Sequence, residues 1–426
     1  MPDYPPIDGP QPCHDNRSNA RAAAYMRGGA HVFARQARGL LPLAGEMAAD
    51  SQSRVRLALV IPWIKAASRR TACETFREAH EAVQFGVPCE AFGQASLPPS
   101  WPFWVASAAA NADVADFLLM HDVDYDPSAF HVRAGLTALP PNVRAVLVPN
   151  MTALYRERLG LEKLRLTDDK VKDFKPMIGQ VFRDYLKAYS HWAFGDIDVV
   201  YGALRNFLTP RVLAHDVISF RTDDVCWPMA KTVFAGQLSV FANNNWTCAM
   251  YQTHYGWERV AVDARFLFFD ERLLPFDVLT QERERTPKRV AMVISQLTDR
   301  KSGRRPTPRR FERRLLWHAD GGRLILVQSH GESSPHKAAY ARCIESEYAV
   351  VHLQLFKFKH WNATISASGS RGFVYTVQRG IVPLNGSSSD MEAEAIVDLL
   401  ARGKLRRTCD RNPSSFQYEG VLPLTP

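Results

Sequence analysis

The sequence predicts an α/β domain with a mostly parallel sheet flanked by helices, because short apolar runs alternate with segments of helical periodicity. Residues 55–62 form an apolar run rich in β-branched side chains that ends at a proline, as expected of a buried parallel strand. Residues 68–84 follow with apolar side chains at helical spacing. A chain of 426 residues, 46% hydrophobic and 23% charged, is long and apolar enough to bury such a core.

Further strands and one long helix continue this alternation. An amphipathic helix is predicted over residues 170–189, where apolar side chains recur at spacings of three and four. It leads into a short aromatic strand at 192–194 that ends at paired acids. The other predicted strands cover residues 114–121, 143–148, 217–220, 238–241, 324–327 and 348–353.

Composition divides the chain into three parts. Residues 1–53 are rich in Pro, Gly, Ala and Arg without sustained periodicity, so we predict an N-terminal tail that is partly disordered or helical. The α/β domain is expected over 54–360, followed by a C-terminal extension at 361–426. Within the domain, residues 299–314 form a basic stretch that predicts an exposed loop, with contact to an anionic membrane or polyanion as the alternative.

Several classes of protein are disfavoured. The seven cysteines are scattered without a CxxC pair, which predicts neither a structural zinc site nor a disulfide framework. No zinc-finger, RRM or KH pattern indicates a specific nucleic-acid partner. No apolar stretch has the length of a membrane span or of a signal-peptide core. We expect a cytoplasmic protein, with peripheral membrane contact and a Golgi-lumenal location as alternatives.

Two Asp-x-Asp pairs follow predicted strands and are candidate metal sites. Aspartates at i and i+2 lie on the same side of an extended strand, so Asp196 and Asp198 can converge on one cation. Mg²⁺ and Mn²⁺ favour hard oxygen ligands, commonly one or two carboxylates together with phosphate and water. Asp122 and Asp124 follow the strand at 114–121 and compete with this pair. Acids are also common in the loops that follow strands, so spacing alone does not decide.

A wider set of motifs resembles a known family. The segments Asp173–Pro176, Phe182–Leu186 and His191–Gly202 together resemble a family of glycosyltransferase-like proteins, largely bacterial. The chain departs from the family at Gly236-Gln237-Leu238, where the family usually has Gly-His-Phe, so no role of that histidine is carried over. Further matching motifs follow in the same order at Asp216–Ser219, Gly236–Asn244, Phe269–Glu271 and His352–Lys357.

The resemblance covers roughly residues 55–360 and implies a GT-A-like nucleotide-diphospho-sugar transferase domain with irregular terminal extensions. It implies a metal site at Asp196 and Asp198 holding Mn²⁺ or Mg²⁺, a nucleotide-sugar donor, with a UDP-sugar foremost, and a glycan, glycolipid or protein acceptor. Two alternatives remain. One is a catalytically silent protein of the same fold that binds a glycan or nucleotide, and the other is a sugar nucleotidyltransferase.

The resemblance also implies roles for basic residues around the donor diphosphate. Lys175 is expected to contact the diphosphate or the sugar, and Lys357 to lie beside the phosphates. His352 is expected to be a further metal or phosphate ligand. Each has an ordinary structural alternative, namely a solvated lysine or a histidine satisfied within the fold.

Catalytic and nucleotide-binding residues are predicted at other strand ends. Asp270 and Glu271 follow the apolar run 266–269, and in an inverting enzyme one of them would deprotonate the acceptor hydroxyl. The resemblance implies that Trp63, at the end of the first strand, stacks on the nucleotide base, and that Asp122 or Asp124 contacts the nucleotide. The alternative is capping or salt bridging for Asp270 and Glu271, core packing for Trp63, and an ordinary loop acid for Asp122 or Asp124.

A segment rich in asparagine, Asn243–Trp246, has two interpretations. It is predicted either to contact sugar hydroxyls or to form a turn.

Overall fold

A computed structural model of the chain describes two β-sheets and the short helices around them. The described residues are 57–64, 97–122, 132, 135–167, 170–222, 234–275, 277–278, 290–298, 313–318, 322–328, 343–353, 372–376 and 380–384. The helix predicted at 68–84 and the terminal segments 1–53 and 385–426 lie outside these residues. No helix among the described residues is long and apolar enough to cross a bilayer.

The strands are numbered β1 to β14 along the chain. They are β1 Leu57–Trp63, β2 Ala115–His121, β3 Val143–Leu147, β4 His191–Gly195, β5 Val199–Tyr201, β6 Val217–Thr222, β7 Leu238–Ala242, β8 Val290–Thr298, β9 Arg313–His318, β10 Arg323–Gln328, β11 Cys343–Tyr348, β12 Val350–His352, β13 Gly372–Thr376 and β14 Gly380–Leu384.

The helices between them are short. The α-helices are α1 Trp101–Ala109, α2 Met151–Leu159, α3 Ile178–Val181, α4 Arg183–Leu186, α5 Pro210–Leu213, α6 Asn245–Ala249 and α7 Trp257–Val262. Turns of 3-10 helix cover Lys170–Met177, Leu204–Asn206 and Met250–Thr253, and one π-helical turn covers Phe269–Leu273.

The main sheet has nine strands in the order β3-β2-β1-β4-β7-β6-β8-β12-β5. Strands β3, β2, β1 and β4 run parallel, and β7 is antiparallel to both of its neighbours. Parallel pairing resumes between β6, β8 and β12, and β5 closes the edge antiparallel to β12. The predicted α/β class with a mostly parallel sheet is confirmed.

Both faces of this sheet are covered, which explains the continuous apolar runs of its strands. Along β1, Ala58 and Val60 pack into one buried cluster together with α2 and α3. The alternate residues Leu57, Leu59 and Ile61 pack into a second cluster with α1 on the opposite face. The period-two alternation of a strand therefore contributes to both cores at once.

The sheet curls back on itself between β4 and β5. These strands are five positions apart in the sheet, which would separate them by about 24 Å if the sheet were flat. Residues 196–198 alone connect them, and from Gly195 to Val199 the chain reaches at most about 15 Å. A Cβ on Gly195 would lie 2.7 Å from the Tyr201 hydroxyl, so β5 packs closely against the end of β4.

A second, antiparallel sheet has the order β11-β10-β9-β13-β14. It packs on the main domain through Trp317 and Phe373, whose rings stack on each other, while Phe373 meets Phe103 of α1 edge to face at 4.7 Å. Trp317 Nε1 also donates to the Tyr201 carbonyl at 3.2 Å. Residues on both sides of position 360 form this sheet. Of the basic stretch 299–314, the last two residues begin β9 and the rest lies outside the described residues.

The prediction of one continuous amphipathic helix at 170–189 is wrong. The segment consists of a 3-10 turn at Lys170–Met177 followed by α3 and α4. Pro176 has no backbone N–H to donate, and Phe182, with φ −101° and ψ 19°, interrupts the regular helix. Of the apolar residues that carried this prediction, Ile178, Val181, Phe182, Leu186 and Tyr189 are buried, whereas Tyr185 is exposed.

Candidate active site

The strand register places several predicted site residues at one edge of the main sheet. Trp63 pairs with His121 at the carboxyl ends of β1 and β2, so Asp122 follows directly beside it. Val60 pairs with Phe194, which places the carboxyl end of β4, and hence Asp196, at the same edge. Ligands of open α/β sheets bind at this carboxyl edge.

The acidic pair lies in the bend between β4 and β5 and not within an extended strand, so the expectation of a shared strand face is wrong. Asp198 is buried, whereas the Asp196 side chain is 23% exposed. Trp104 Nε1 of α1 donates to the Asp196 carbonyl at 3.3 Å, which helps to fix the bend.

The β5–β12 ladder brings a third predicted residue to the pair. His352 pairs with Val199, and the next residue along, Leu353, donates its N–H to the Asp198 carbonyl at 2.9 Å. The backbone of His352 therefore lies beside Asp198, although these residues are roughly 150 positions apart in sequence. The resemblance assigned His352 as a further metal or phosphate ligand, and that role stays a prediction.

Lys175 is the centre of the charged cluster at this edge. Its Nζ donates to Asp196 Oδ1 at 2.5 Å and to the Gly236 carbonyl at 2.7 Å, and it lies 3.9 Å from Asp270 Oδ2. The ammonium group also lies 5.8 Å from the centre of the Phe194 ring. Burial lowers the pKa of Lys175, but the Asp196 and Asp270 carboxylates outweigh burial and hold the pKa above its ordinary value. Its neighbours therefore favour the protonated, cationic form of Lys175 in this site.

Asp270 is a buried carboxyl with unused hydrogen-bonding capacity. Its Oδ1 has no hydrogen-bond partner among the described residues. Burial raises the pKa of Asp270 well above its usual range, and the charges of Glu271, Asp173 and Asp196 add to the effect, while Lys175 opposes it. A carboxyl with a raised pKa is suited to exchange a proton near neutral pH.

The turn that carries Asp270 has an unusual backbone. Phe268 adopts the left-handed conformation, with φ 57° and ψ 38°, at a cost of roughly 1–3 kcal/mol for a residue with a side chain. The π-helical turn Phe269–Leu273 follows it. The strand expected at 266–269 is therefore wrong, because the backbone there bonds to a side chain instead of a neighbouring strand.

That side chain is Asp173. Its Oδ2 accepts from Leu267 N and its Oδ1 from Phe269 N, both at 2.8 Å. Lys170 Nζ donates to Asp173 Oδ2 at 2.8 Å and to the Arg265 carbonyl at 2.9 Å. Burial raises the pKa of Asp173, while Lys170 and the two backbone donors act in the opposite direction. Lys170 and Asp173 thus form a fully buried ion pair on the 3-10 turn, and their hydrogen bonds to the backbone of residues 265–269 join this turn to the Asp270 turn.

Glu271 occupies a different place from its neighbour Asp270. Its carboxylate lies over Gly236, where an added Cβ would collide with it, so only glycine permits this approach. Gln237 Nε2 lies 3.5 Å from Glu271 Oε1, a long contact. Gln237 precedes β7, which runs antiparallel to β4, so this contact is at the same edge as Asp196. One acid is therefore buried against Lys175 and the other is partly exposed at the rim.

Several residues of the site were not singled out by sequence reasoning. Asp173 belongs to the Asp-Phe-Lys-Pro motif but received no role of its own, and Lys170, three residues earlier, was not identified. Gly236 and Trp104 gave no signal of a close approach or a hydrogen bond. In the asparagine segment, Asn244 caps α6, and Asn243 donates to the carbonyls of Leu186, the last residue of α4, and of Tyr189, while contact with sugar hydroxyls stays a prediction.

The remaining candidates have less structural description. Asp124 and Lys357 lie outside the described residues, as does the side chain of His352. Within the described residues, no group of three or more His, Cys, Asp or Glu side chains is arranged to hold a metal ion. The metal site at Asp196 and Asp198 stays a prediction from the sequence.

Three solved structures similar to the chain are glycosyltransferases. The WbbM bifunctional glycosyltransferase in its apo form is 16% identical with a TM-score of 0.34, and the match covers 60% of this chain and 41% of that one. The galactosyltransferase LgtC, in complex with donor and acceptor sugar analogues, is 10% identical with a TM-score of 0.32, covering 59% and 80%. Mouse xyloside xylosyltransferase 1, apo form, is 10% identical with a TM-score of 0.31, covering 58% and 89%.

Comparison at the level of sequence gives one match. No curated protein matches the chain. Residues 91–379 match the profile of a family of unknown function, and this range contains the acidic bend, Lys175, Asp270 and both partners of the β5–β12 ladder. Since the match spans more than half of the sequence, the chain belongs to that family, DUF6625.

Proposed function

We propose that the chain is a metal-dependent glycosyltransferase that moves a sugar from a nucleotide-diphospho-sugar, foremost a UDP-sugar, to a hydroxyl of a glycan, glycolipid or protein. The observation that carries the proposal is the buried Lys175, which joins Asp196 to Asp270 at the carboxyl edge of the sheet. A fixed cation between an acidic pair and a buried carboxyl with a raised pKa suits the transfer of a group from a diphosphate. The motif resemblance supports the same conclusion.

The acidic bend suits Mn²⁺ or Mg²⁺. Two carboxylates, Asp196 and Asp198, match the one or two that these ions usually take from a protein, with phosphate and water as the other ligands. Lys175 engages Oδ1 of Asp196, and the partial exposure of that side chain leaves it accessible from solvent. His352, adjacent along the β5–β12 ladder, would be a further ligand. When bound, the ion neutralises charge that develops on the diphosphate leaving group.

The chain's own residues would divide the remaining work. Lys175 would donate to the diphosphate or the donor sugar while keeping Asp196 in place. Asp270 Oδ1 would accept the proton of the acceptor hydroxyl while the hydroxyl oxygen bonds to the anomeric carbon of the donor sugar. The bond between that carbon and the diphosphate would break, and its electron pair would leave with the diphosphate. Glu271 would bind the acceptor at the rim. Trp63 and Asp122, at the ends of β1 and β2, would contact the nucleotide.

The test is nucleotide release from a panel of UDP-, GDP- and CMP-sugars with and without Mn²⁺. The wild type is compared with Asp196→Asn/Asp198→Asn and with Asp184→Asn, a control acid on α4 that pairs with Arg158 and Lys187. We expect metal-dependent release that falls by roughly a hundredfold or more in the double variant and is unchanged in the control.

Two other outcomes would identify the alternatives. Absence of turnover and of metal-dependent nucleotide binding would favour a catalytically silent binding protein. Pyrophosphate release from a nucleoside triphosphate and a sugar phosphate would favour a nucleotidyltransferase. A cytoplasmic location and peripheral contact of the basic stretch 299–314 with an anionic membrane remain predictions from the sequence.

A further inference from the structure

We propose that Asp173, held by Lys170, is a positioning residue that sets the place of Asp270 relative to Lys175; the proposal rests on the glycosyltransferase function given above. Asp173 lies two residues before Lys175 on the same 3-10 turn. That turn therefore holds the Asp270 turn at two points: Asp173 binds its backbone, and Lys175 faces its carboxyl at 3.9 Å. Asp173 makes its contacts with the backbone that leads into Asp270, and its charge adds to the raised pKa of Asp270.

The two backbone bonds are placed where the chain needs them. They bind the N–H groups of Leu267 and Phe269, the residues on either side of Phe268. The left-handed conformation of Phe268 is disfavoured for a residue with a Cβ, so local preference would carry the chain elsewhere. A carboxylate that accepts from both neighbours holds this conformation, and the direction in which the chain enters the Asp270 turn depends on it.

Lys170 strengthens the contact between Asp173 and the Asp270 turn, and we call these two residues together the clamp. Its ammonium group is fully buried and binds both Asp173 and the Arg265 carbonyl, so it holds the chain one residue before the aromatic run begins. The clamp thus grips the segment from Arg265 to Phe269 at three backbone groups. Asp270 is the next residue, and its carboxyl is buried with no freedom to compensate for a shift of the backbone.

A purely structural ion pair would behave differently when broken. Loss of a structural contact lowers the stability of the fold but leaves the turnover number of the folded molecules unchanged. Loss of a positioning contact lowers kcat of the folded molecules, since a displacement of about 1 Å can cost roughly a hundredfold in rate. The donor KM would stay close to the wild-type value, because Trp63, Asp122 and Asp196 are held by other strands.

The experiment compares Asp173→Asn with Asp263→Asn as the matched control. Asp263 accepts a backbone N–H from Arg265 in the same loop but makes no contact with the Asp270 turn in the described structure. An asparagine at 173 keeps one acceptor and presents a donor to the other N–H, so one of the two bonds is lost. We expect kcat to fall about ten- to a hundredfold in Asp173→Asn, with donor KM within about twofold, and no change in Asp263→Asn.

A second substitution makes the test specific to the turn. Glycine adopts the left-handed conformation without the penalty of a Cβ, so Phe268→Gly in the Asp173→Asn background should recover several-fold of the lost kcat. An unchanged kcat in folded Asp173→Asn protein, or an equal fall in Asp263→Asn, would overturn the proposal.

A readout independent of activity separates this proposal from the proposed function. Amide hydrogen exchange at Leu267 and Phe269 should be faster in Asp173→Asn than in the control, and a crystal structure should show Lys175 Nζ and Asp270 Oδ2 further apart than 3.9 Å. If the wild type transfers no sugar but both changes occur, the proposed reaction fails and the positioning role stands. Unchanged exchange and an unchanged distance would refute the positioning role whatever the activity.

Discussion

Replacing Lys175 by methionine removes the one buried cation that contacts both Asp196 and the Gly236 carbonyl in the described site. Methionine keeps most of the apolar stem but lacks the ammonium group that lies over the Phe194 ring, so the change is mainly the loss of charge. The variant leaves Asp196 and the buried Asp270 without their counter-ion.

The expected loss of stability in Lys175→Met follows from the contacts of Lys175 with Asp196 and Asp270 and from their burial. Breaking a buried ion pair by removing one partner typically costs about 3–5 kcal/mol. Lys175 is 6% exposed, but the 23% exposure of Asp196 lets water replace part of the interaction. We therefore expect a loss of about 2–4 kcal/mol in the free energy of unfolding when both carboxyls are ionised.

The loss should depend on pH with a definite sign. The attraction between Lys175 and Asp270 exists while the Asp270 carboxylate is charged and disappears as that group takes up a proton. The pKa of Asp270 is raised, so protonation of this group begins above the usual aspartate range. The deficit of Lys175→Met should therefore be largest at about pH 8 and shrink towards about pH 4.

Urea denaturation at both pH values, followed by tryptophan fluorescence, measures the deficit. Lys187→Met is the control, because Lys187 is a highly exposed lysine paired with Asp184 on the surface, and its loss should be too small to resolve. The reasoning is refuted if Lys175→Met loses no more stability than Lys187→Met at about pH 8. A deficit that grows as the pH falls would refute it equally.

Two further predictions concern the core of the site and the segment behind it. Asp270→Asn should lower kcat about 10²- to 10⁴-fold and yet raise the thermal midpoint of unfolding at about pH 8. Because the pKa of Asp270 is raised in the folded protein, its contribution to stability is full below about pH 4 and is lost as the pH rises through that folded-state pKa. A midpoint lower than that of the wild type at about pH 8 would contradict this. Gly179→Ala would place a Cβ 2.7 Å from the Trp192 ring and should destabilise the fold by about 1–3 kcal/mol in urea denaturation, whereas an unchanged midpoint would show that the ring has room to move.

Most strands of the main sheet could be predicted from the sequence. β1, β2, β4, β6 and β7 follow apolar runs, as expected of strands buried on both faces, whereas the edge strand β3 is partly exposed and was still predicted. The acids that follow β4 could be assigned to the carboxyl edge for the same reason. The proximity of Lys175 to Asp196 and Asp270 agrees with the residues chosen for the site, while their roles await the experiments above.

Other elements depend on contacts that local sequence does not encode. β5 has three residues, too few for periodicity to register, and it pairs with β12, which lies within the strand predicted at 348–353. The turn at Phe268 contradicts the preference of an aromatic residue and depends on Asp173, almost a hundred positions earlier. The second sheet, of which the sequence indicated β10 clearly, requires Phe373 and Trp317 to meet a helix near the start of the domain.

The pairing of β5 with β12 has a consequence for the time at which the acidic bend is completed. During synthesis, Asp196 and Asp198 leave the ribosome roughly 150 residues before the strand that fixes the far side of their bend. A nascent chain that ends before His352 can form β1 to β4 but cannot close the β5 ladder, and contacts of such long separation form slowly. The two acids therefore stay exposed on an unfinished edge during elongation, so the cell makes this site in its final form only when most of the chain has already been translated.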